Sequence, residues 1–246
     1  MQSLATVEKA IDLLFHLHRE ATPRGVTAVG RALGLPKSTA HRLLFTLTRR
    51  GLLERDARGQ YGPGIGLVAL GLGFLDREPV VVAARPVLES ESQQLGETVF
   101  LTAARAGAIV VLDKVEGSGF LRAAPRIGST VPIHATAVGK LYLAHAPESV
   151  ALGDEPLEGF TPSTRTSAAM LAAELDRVRR QGYAENRDEW IPGLSAIAAP
   201  VFAGGRMVAA LAAATSSARL EALHSFAITS RIFEAARRTG ERMEGR

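Results

Sequence analysis

The densest run of groups able to meet a polyanion or a base edge is Lys37, Ser38, Thr39, His41 and Arg42. Between and after them, Ala40, Leu43, Leu44 and Leu47 fall at i, i+3, i+4 and i+7. That spacing predicts one helix that buries the apolar stripe and turns the polar groups outward. So placed, Arg42 suits a bidentate bond to guanine, while Ser38, Thr39 and His41 can bond base edges or phosphates. Elsewhere the chemistry is thin. Cysteine is absent, which excludes disulfides, thiolate metal sites and a cysteine nucleophile. The histidines (16, 18, 41, 134, 145 and 224) are scattered, and His16 and His18 do not share a helix face. There is no His-Glu-x-x-His, no Gly-x-Ser-x-Gly and no phosphate-binding loop, because Gly139-Lys140 lacks the upstream Gly and the following hydroxyl. His134 with Asp188 or Glu189 offers metal-donor types without ligand spacing, and a hydrogen-bonded structural histidine is the commoner outcome. Asp188-Glu189 beside Arg187 reads either as an acid–base pair or as a solvated loop, the latter being commoner. The expectation is a non-enzyme with no cofactor and no metal.

Other elements must hold the polar helix in place. Val7, Ala10, Ile11, Leu14 and Leu17 predict an amphipathic helix over 4–18, ended by turn chemistry at 21–25. Thr27 is the expected N-cap of a short helix over 28–33, at an N-terminus that favours phosphate. Gly34 suits the left-handed closing position, and Leu35-Pro36 turns the chain into the next helix. Two helices about a short Gly-containing turn make a helix-turn-helix. Strands over 52–56 and 60–62, around a turn at 57–59, then predict a hairpin wing. Arg58 and Gln60 near its tip are placed to touch the DNA backbone or minor groove.

The 246 residues carry a formal net charge of +4, with 46% hydrophobic and 22% charged residues. This is ordinary globular composition, long enough for one large domain or two modest ones at ~100–200 residues each. Residues 1–62 hold ten Lys/Arg against five Asp/Glu, whereas residues 63–246 hold nineteen against twenty. All the positive excess therefore sits in the first quarter, as a polyanion-binding head on a near-neutral body. A helical packing unit with a merely solvated polar face is the competing reading. Agreement between the helices, the turn, the wing and the charge favours double-stranded DNA. Glu8, Lys9 and Asp12 interrupt the first apolar run, so it reads as neither signal peptide nor membrane span. No membrane partner and a cytoplasmic location are expected.

In the body, Gly64-x-Gly66-x-x-Ala69 imitates a dinucleotide fingerprint. It is rejected because no apolar strand precedes it and Leu67, Leu70 and Phe74 recur at helical spacing. Residues 80–96 predict a second amphipathic helix, with Pro86 interrupting its early part. Strands over 98–104 and 108–115 form a hairpin about 105–107, and 119–125 adds a third strand. Helices follow over 136–146 and 166–182. Strands over 195–202 and 207–215 pair about 203–206, and a last helix spans about 218–241. The fold class is α+β, with a mostly antiparallel sheet and flanking helices.

The run from Gly34 to Lys37, with Ser38, Thr39, Arg42 to Leu44, Gly51, Arg55, Asp56, Tyr61 and Gly64, resembles the winged helix-turn-helix of the IclR family of bacterial transcriptional regulators. The resemblance continues in family order through residues 112–117, 133–140 and 182–202. It implies a DNA-binding domain over 1–62, a linker helix over 63–78 that helps pair subunits, and a GAF-like effector-binding domain over 79–246. Homodimers on an imperfect palindromic operator are implied, with pairing into tetramers left open, and repression ahead of activation. The family's effector pocket maps onto Thr136, Ala137, Val138, Gly139, Asn186, Leu194, Ala196, Ala212 and Ala214. Asn186 replaces an acidic residue, Ala196 a thiol or hydroxyl, and Ala212 and Ala214 two hydroxyls. Fewer polar anchors point to a larger, partly apolar effector such as an aromatic acid, because an unpaired polar ligand group costs ~1–3 kcal/mol. Trp190 could stack on it or merely cap the surface, and the alanines could equally mark a collapsed site. The alternatives are a constitutive dimeric DNA-binding protein with a non-sensing C-terminal domain, or an enzyme with a basic appendage.

Overall fold

The computed structural model describes residues 4–118, 125–222 and 225–245. The chain divides into two compact units, Met1–Asp76 and Arg77–Arg246.

The first unit contains α1 (Ala5–Arg19), α2 (Val26–Ala32), α3 (Lys37–Arg49), a hairpin of β1 (Leu53–Arg55) and β2 (Tyr61–Pro63), and α4 (Ile65–Leu75). Its core joins Leu13 and Leu17 of α1 to Val29, to Leu43, Leu44 and Leu47 of α3, and to Leu53 and Tyr61 of the hairpin. Helix α1 is apolar on two faces, which its spacing alone merges. Ala10, Leu13, Leu14 and Leu17 pack inward, while Leu4, Val7, Ile11 and Phe15 stay exposed. Gly34 is left-handed at φ +62°, and the Leu35 N–H bonds back to Gly30 O at 2.8 Å, which closes the turn between α2 and α3.

Thr27 is not the N-cap of α2. Arg24 is bridged to Tyr61, so the chain stays extended to Gly25, which takes the cap position, and Thr27 lies exposed in the first turn. The dinucleotide imitation has a packing explanation. A Cβ at Gly64 would come within 2.6 Å of Gly51 O, and one at Gly66 within 2.7 Å of the same oxygen. These glycines let α4 start against β1. None of the α4 residues is buried.

The second unit is built on a six-stranded antiparallel sheet of order β5-β4-β3-β8-β7-β6. Its strands are β3 (Thr98–Arg105), β4 (Ala108–Val115), β5 (Thr130–Val131), β6 (Ala184–Arg187), β7 (Leu194–Ala203) and β8 (Arg206–Ser216). The helices are α5 (Pro79–Leu95), α6 (Ala137–His145), α7 (Ala168–Gln181), α8 (Ser217–Ala222) and α9 (Ser225–Met243). Pro86 does not interrupt α5. Both Pro86 and Val82, whose carbonyl loses its partner, lie on the solvent side, where water can take the bond. Gly204 and Gly205, both at positive φ, make the tight β7–β8 turn. Edge strands β5 and β6 were not expected, being only two and four residues long. The strand expected over 119–125 lies outside the described residues apart from Pro125, and residues 223–224 of the last expected helix do too. Among the described residues no helix is long and apolar enough to cross a membrane.

Candidate functional site

In the first unit the site is the outer face of α3. At ~100° per residue, Ser38, Arg42, Phe45 and Arg49 lie opposite the buried Ala40, Leu43, Leu44 and Leu47. Lys37, Ser38, His41 and Arg42 are exposed, and Thr39 is half-buried. No side chain caps α3, whose first N–H groups are therefore free to meet an anion. Phe45 is 54% exposed, with the Arg49 guanidinium 5.9 Å from its ring centre. The sequence places Arg49 on the outward face, whereas Phe45 was not singled out. An apolar residue in an amphipathic helix is credited to the core, yet its place three residues after Arg42 was the available signal. In the wing, Asp56 Oδ1 accepts from the Arg58 and Gln60 N–H groups at 2.9 and 2.8 Å, holding the tip with Arg58 exposed and Gln60 half-buried.

The second unit holds a partly open apolar cavity of about 30 Å³. The structure brings eight of the ten expected residues to its wall: Thr136, Ala137, Val138, Asn186, Trp190, Leu194, Ala196 and Ala214. Phe100, Pro125, Val131 and Ile191 complete the described lining and were missed; Phe100 and Val131 reach it from strands, where cross-sheet neighbours leave no local pattern, and Pro125 and Ile191 from loops. Gly139 and Ala212 are not in the wall. A Cβ on Gly139 would fall 1.8 Å from Ile133 O, so this glycine permits close packing behind the start of α6. Ala212 pairs with Phe100 across the sheet and is fully buried in the surrounding core. Thr136 caps α6, with Oγ1 accepting from Gly139 N–H at 3.1 Å and donating to Pro132 O at 2.6 Å. Asn186 Nδ2 donates to Ala135 O. With about 30 Å³ free, the cavity takes a couple of waters at ~10–15 Å³ each, far short of the ~300–1,000 Å³ of a drug-sized site.

In the loop after β6, Asp188 is half-buried and Glu189 buried, so this pair is held by hydrogen bonds where a solvated loop is the commoner expectation. Asp188 is left-handed at φ +56°, and its Oδ1 accepts from Gly193 N–H at 2.7 Å and from Ser217 Oγ at 2.6 Å. Glu189 is buried and binds Lys140 Nζ at 2.6 Å. Thr161 and Thr164 donate to the backbone carbonyls of Asp188 and Glu189, both at 2.6 Å. His134 is the structural histidine, bonded through Nε2 to Glu158 O at 2.8 Å and stacked on Phe160.

A hairpin-winged helix-turn-helix with an exposed basic face, followed by an antiparallel-sheet domain holding a small apolar cavity, defines a two-domain DNA-binding regulator. Residues 6–57 match the family model of the IclR helix-turn-helix domain, and residues 72–241 that of the bacterial transcriptional regulator IclR C-terminal domain. The chain belongs to the IclR family of bacterial transcriptional regulators. It is 32% identical over 239 residues to the HTH-type transcriptional regulator BhcR of Paracoccus denitrificans, covering 95% of this chain and 85% of that one. To the HTH-type transcriptional repressor AllR of Salmonella typhi it is 29% identical over 219 residues, covering 87% and 80%. Among solved structures, an IclR homologue from Microbacterium hydrocarbonoxydans complexed with 4-hydroxybenzoate superposes with a TM-score of 0.85. That pair is 23% identical, and the match covers 98% of this chain and 100% of the other.

Proposed function

We propose that this chain is an effector-controlled repressor. Residues 1–62 read an operator, 63–78 form the linker and 79–246 sense a small partly apolar acid. The observation that carries the DNA reading is the outward face of α3, where Ser38, His41, Arg42, Phe45 and Arg49 stand exposed opposite the buried stripe. Arg42 reads guanine, and Ser38, Thr39 and His41 bond base edges or the adjoining phosphates. The Phe45 ring meets a thymine methyl, since apolar contact is how that group is read. Lys37, Arg49 and Arg58 hold phosphates, with Thr27 and Gln60 at the flanks. Two apolar stripes left bare, Leu4, Val7, Ile11 and Phe15 along α1 and its N-cap and Ile65, Val68 and Leu72 on α4, support pairing into a homodimer. A dimer presents two reading heads to an imperfect palindrome. Selection from a random duplex library with the full-length chain should return two half-sites about one helical turn apart. Recovery of single, unpaired sites would contradict it.

The AllR name supports repression, and the 4-hydroxybenzoate complex of the Microbacterium homologue supports an aromatic acid as the effector class. Its carboxylate would meet the start of α6 at Ala137 and Val138, with Trp190, Leu194, Ala196 and Ala214 walling the ring. The domain is read as a sensor without catalysis, working in the cytoplasm where the DNA is. The small size of the cavity, about 30 Å³, favours one second reading, a constitutive binder whose C-terminal domain only dimerises. A panel of aromatic acids that leaves operator affinity unmoved would favour it.

A further inference from the structure

Lys140 is buried to 0% exposure in the middle of α6, one turn after the residues that line the cavity. All three of its ammonium protons are used: Nζ donates to Glu174 Oε1 of α7 at 2.8 Å, to Glu185 O of β6 at 2.9 Å and to Glu189 Oε1 at 2.6 Å. Glu185 immediately precedes Asn186 and Glu189 immediately precedes Trp190, both of which are cavity wall, while the third acceptor, Glu174, stands on α7. Thr161 and Thr164 hold the loop through its backbone, and Lys140 is the side chain that ties it to α6, whose start forms part of the wall. A cation with no access to water is held by what neutralises it, and removing its partners leaves a costly unpaired charge. The cavity behind this link is too small for any ring-sized ligand.

We infer that Lys140 is a positioning residue that latches the Trp190 loop shut over the cavity through Glu189. An effector must release or shift this latch to enter, so the latch sets how much of the protein is open to ligand. The inference rests on the effector reading for its purpose, while its geometry can be tested with no ligand present. Glu174 supplies the matched control. It neutralises the same ammonium, but from α7, and does not hold the loop.

Trp190 is the only tryptophan of the chain, so its fluorescence reports the loop directly. In the full-length protein, Glu189→Ala should raise acrylamide quenching of Trp190 severalfold, whereas Glu174→Ala leaves it at the wild-type value although the same ammonium loses one carboxylate. Equal increases in both variants would show general loosening and overturn the latch, as would no increase in either. Should the alanine variants not fold, Glu189→Gln against Glu174→Gln reads the same contrast, with each amide weakening one arm. Because quenching is read without ligand, an inert panel of aromatic acids would sink the effector reading and leave this result standing.

Discussion

Replacing Arg42 by Ala separates base reading from charge attraction. The exposed cations assigned to phosphates are Lys37, Arg49 and Arg58 in each head, giving six in a dimer. At ~0.9 counterions released per phosphate, the logarithm of operator affinity should fall against the logarithm of salt with a slope near about −5. Arg42 projects from the same face but is assigned to guanine, so Arg42→Ala should keep that slope. It should cut the ratio of operator to random-DNA affinity by ~5–150-fold per half-site, the equivalent of ~1–3 kcal/mol for a lost bidentate contact. Lys37→Ala should do the reverse, weakening both DNAs together and making the slope shallower by ~2 for the dimer. Fluorescence anisotropy with both duplexes across a salt series measures every term. A shallower slope for Arg42→Ala with an unchanged ratio would make Arg42 a phosphate contact and refute the assignment of the reading face.

Three further tests address separate parts of the molecule. Thymine-to-deoxyuridine exchange in the selected operator removes only a methyl, and it should weaken wild-type binding but not Phe45→Ala binding; an equal loss in both removes Phe45 from the reading face. Gly139→Ala puts a methyl into the Ile133 carbonyl, 1.8 Å away, and should cost at least ~3 kcal/mol of stability in chemical unfolding, while an unchanged midpoint would mean that α6 can shift freely. Burial raises the pKa of the Tyr142 hydroxyl well above the tyrosine range, against the smaller opposing effects of the Ala104 N–H and Arg105. The folded chain therefore keeps a proton that the unfolded chain releases, so this contribution is complete below pH ~10 and shrinks as pH rises further. Urea midpoints should show a shallower alkaline decline for Tyr142→Phe; identical slopes would discard the attribution.

What was legible in the sequence was local and periodic. The stripe at Ala40, Leu43, Leu44 and Leu47, the left-handed Gly34 and the Gly204-Gly205 turn each state their geometry within a few residues, and all three appear as expected. Thr27 misled because the start of α2 is decided by a bridge to Tyr61, far along the chain. The second face of α1 was hidden because residues 4, 7, 11 and 15 and residues 10, 13, 14 and 17 both satisfy helical spacing. The cavity shows the same division. Motif order named eight of its walls, but Phe100 and Val131 reach it from strands β3 and β5, through pairings that no window of sequence contains. The role of Lys140 was hidden for a stronger reason. Its partners lie 34, 45 and 49 residues away, and only the folded sheet brings α6, α7 and β6 to one buried ammonium. A lysine in the apolar run from Ala135 to Ala144 was the clue, since a charge there must be paired.

On the reading proposed above, occupancy of the cavity controls operator affinity. It is tested most directly by titrating the selected operator with the full-length chain in the presence of each of a panel of aromatic acids, in wild type and in Ala214→Leu, which fills the roughly 30 Å³ cavity. At least one acid should weaken wild-type binding by ~5–150-fold, the range of an allosteric coupling of ~1–3 kcal/mol, and Ala214→Leu should bind operator normally while ignoring that acid. No response to any acid in the wild type, or the same response in Ala214→Leu, would contradict the claim.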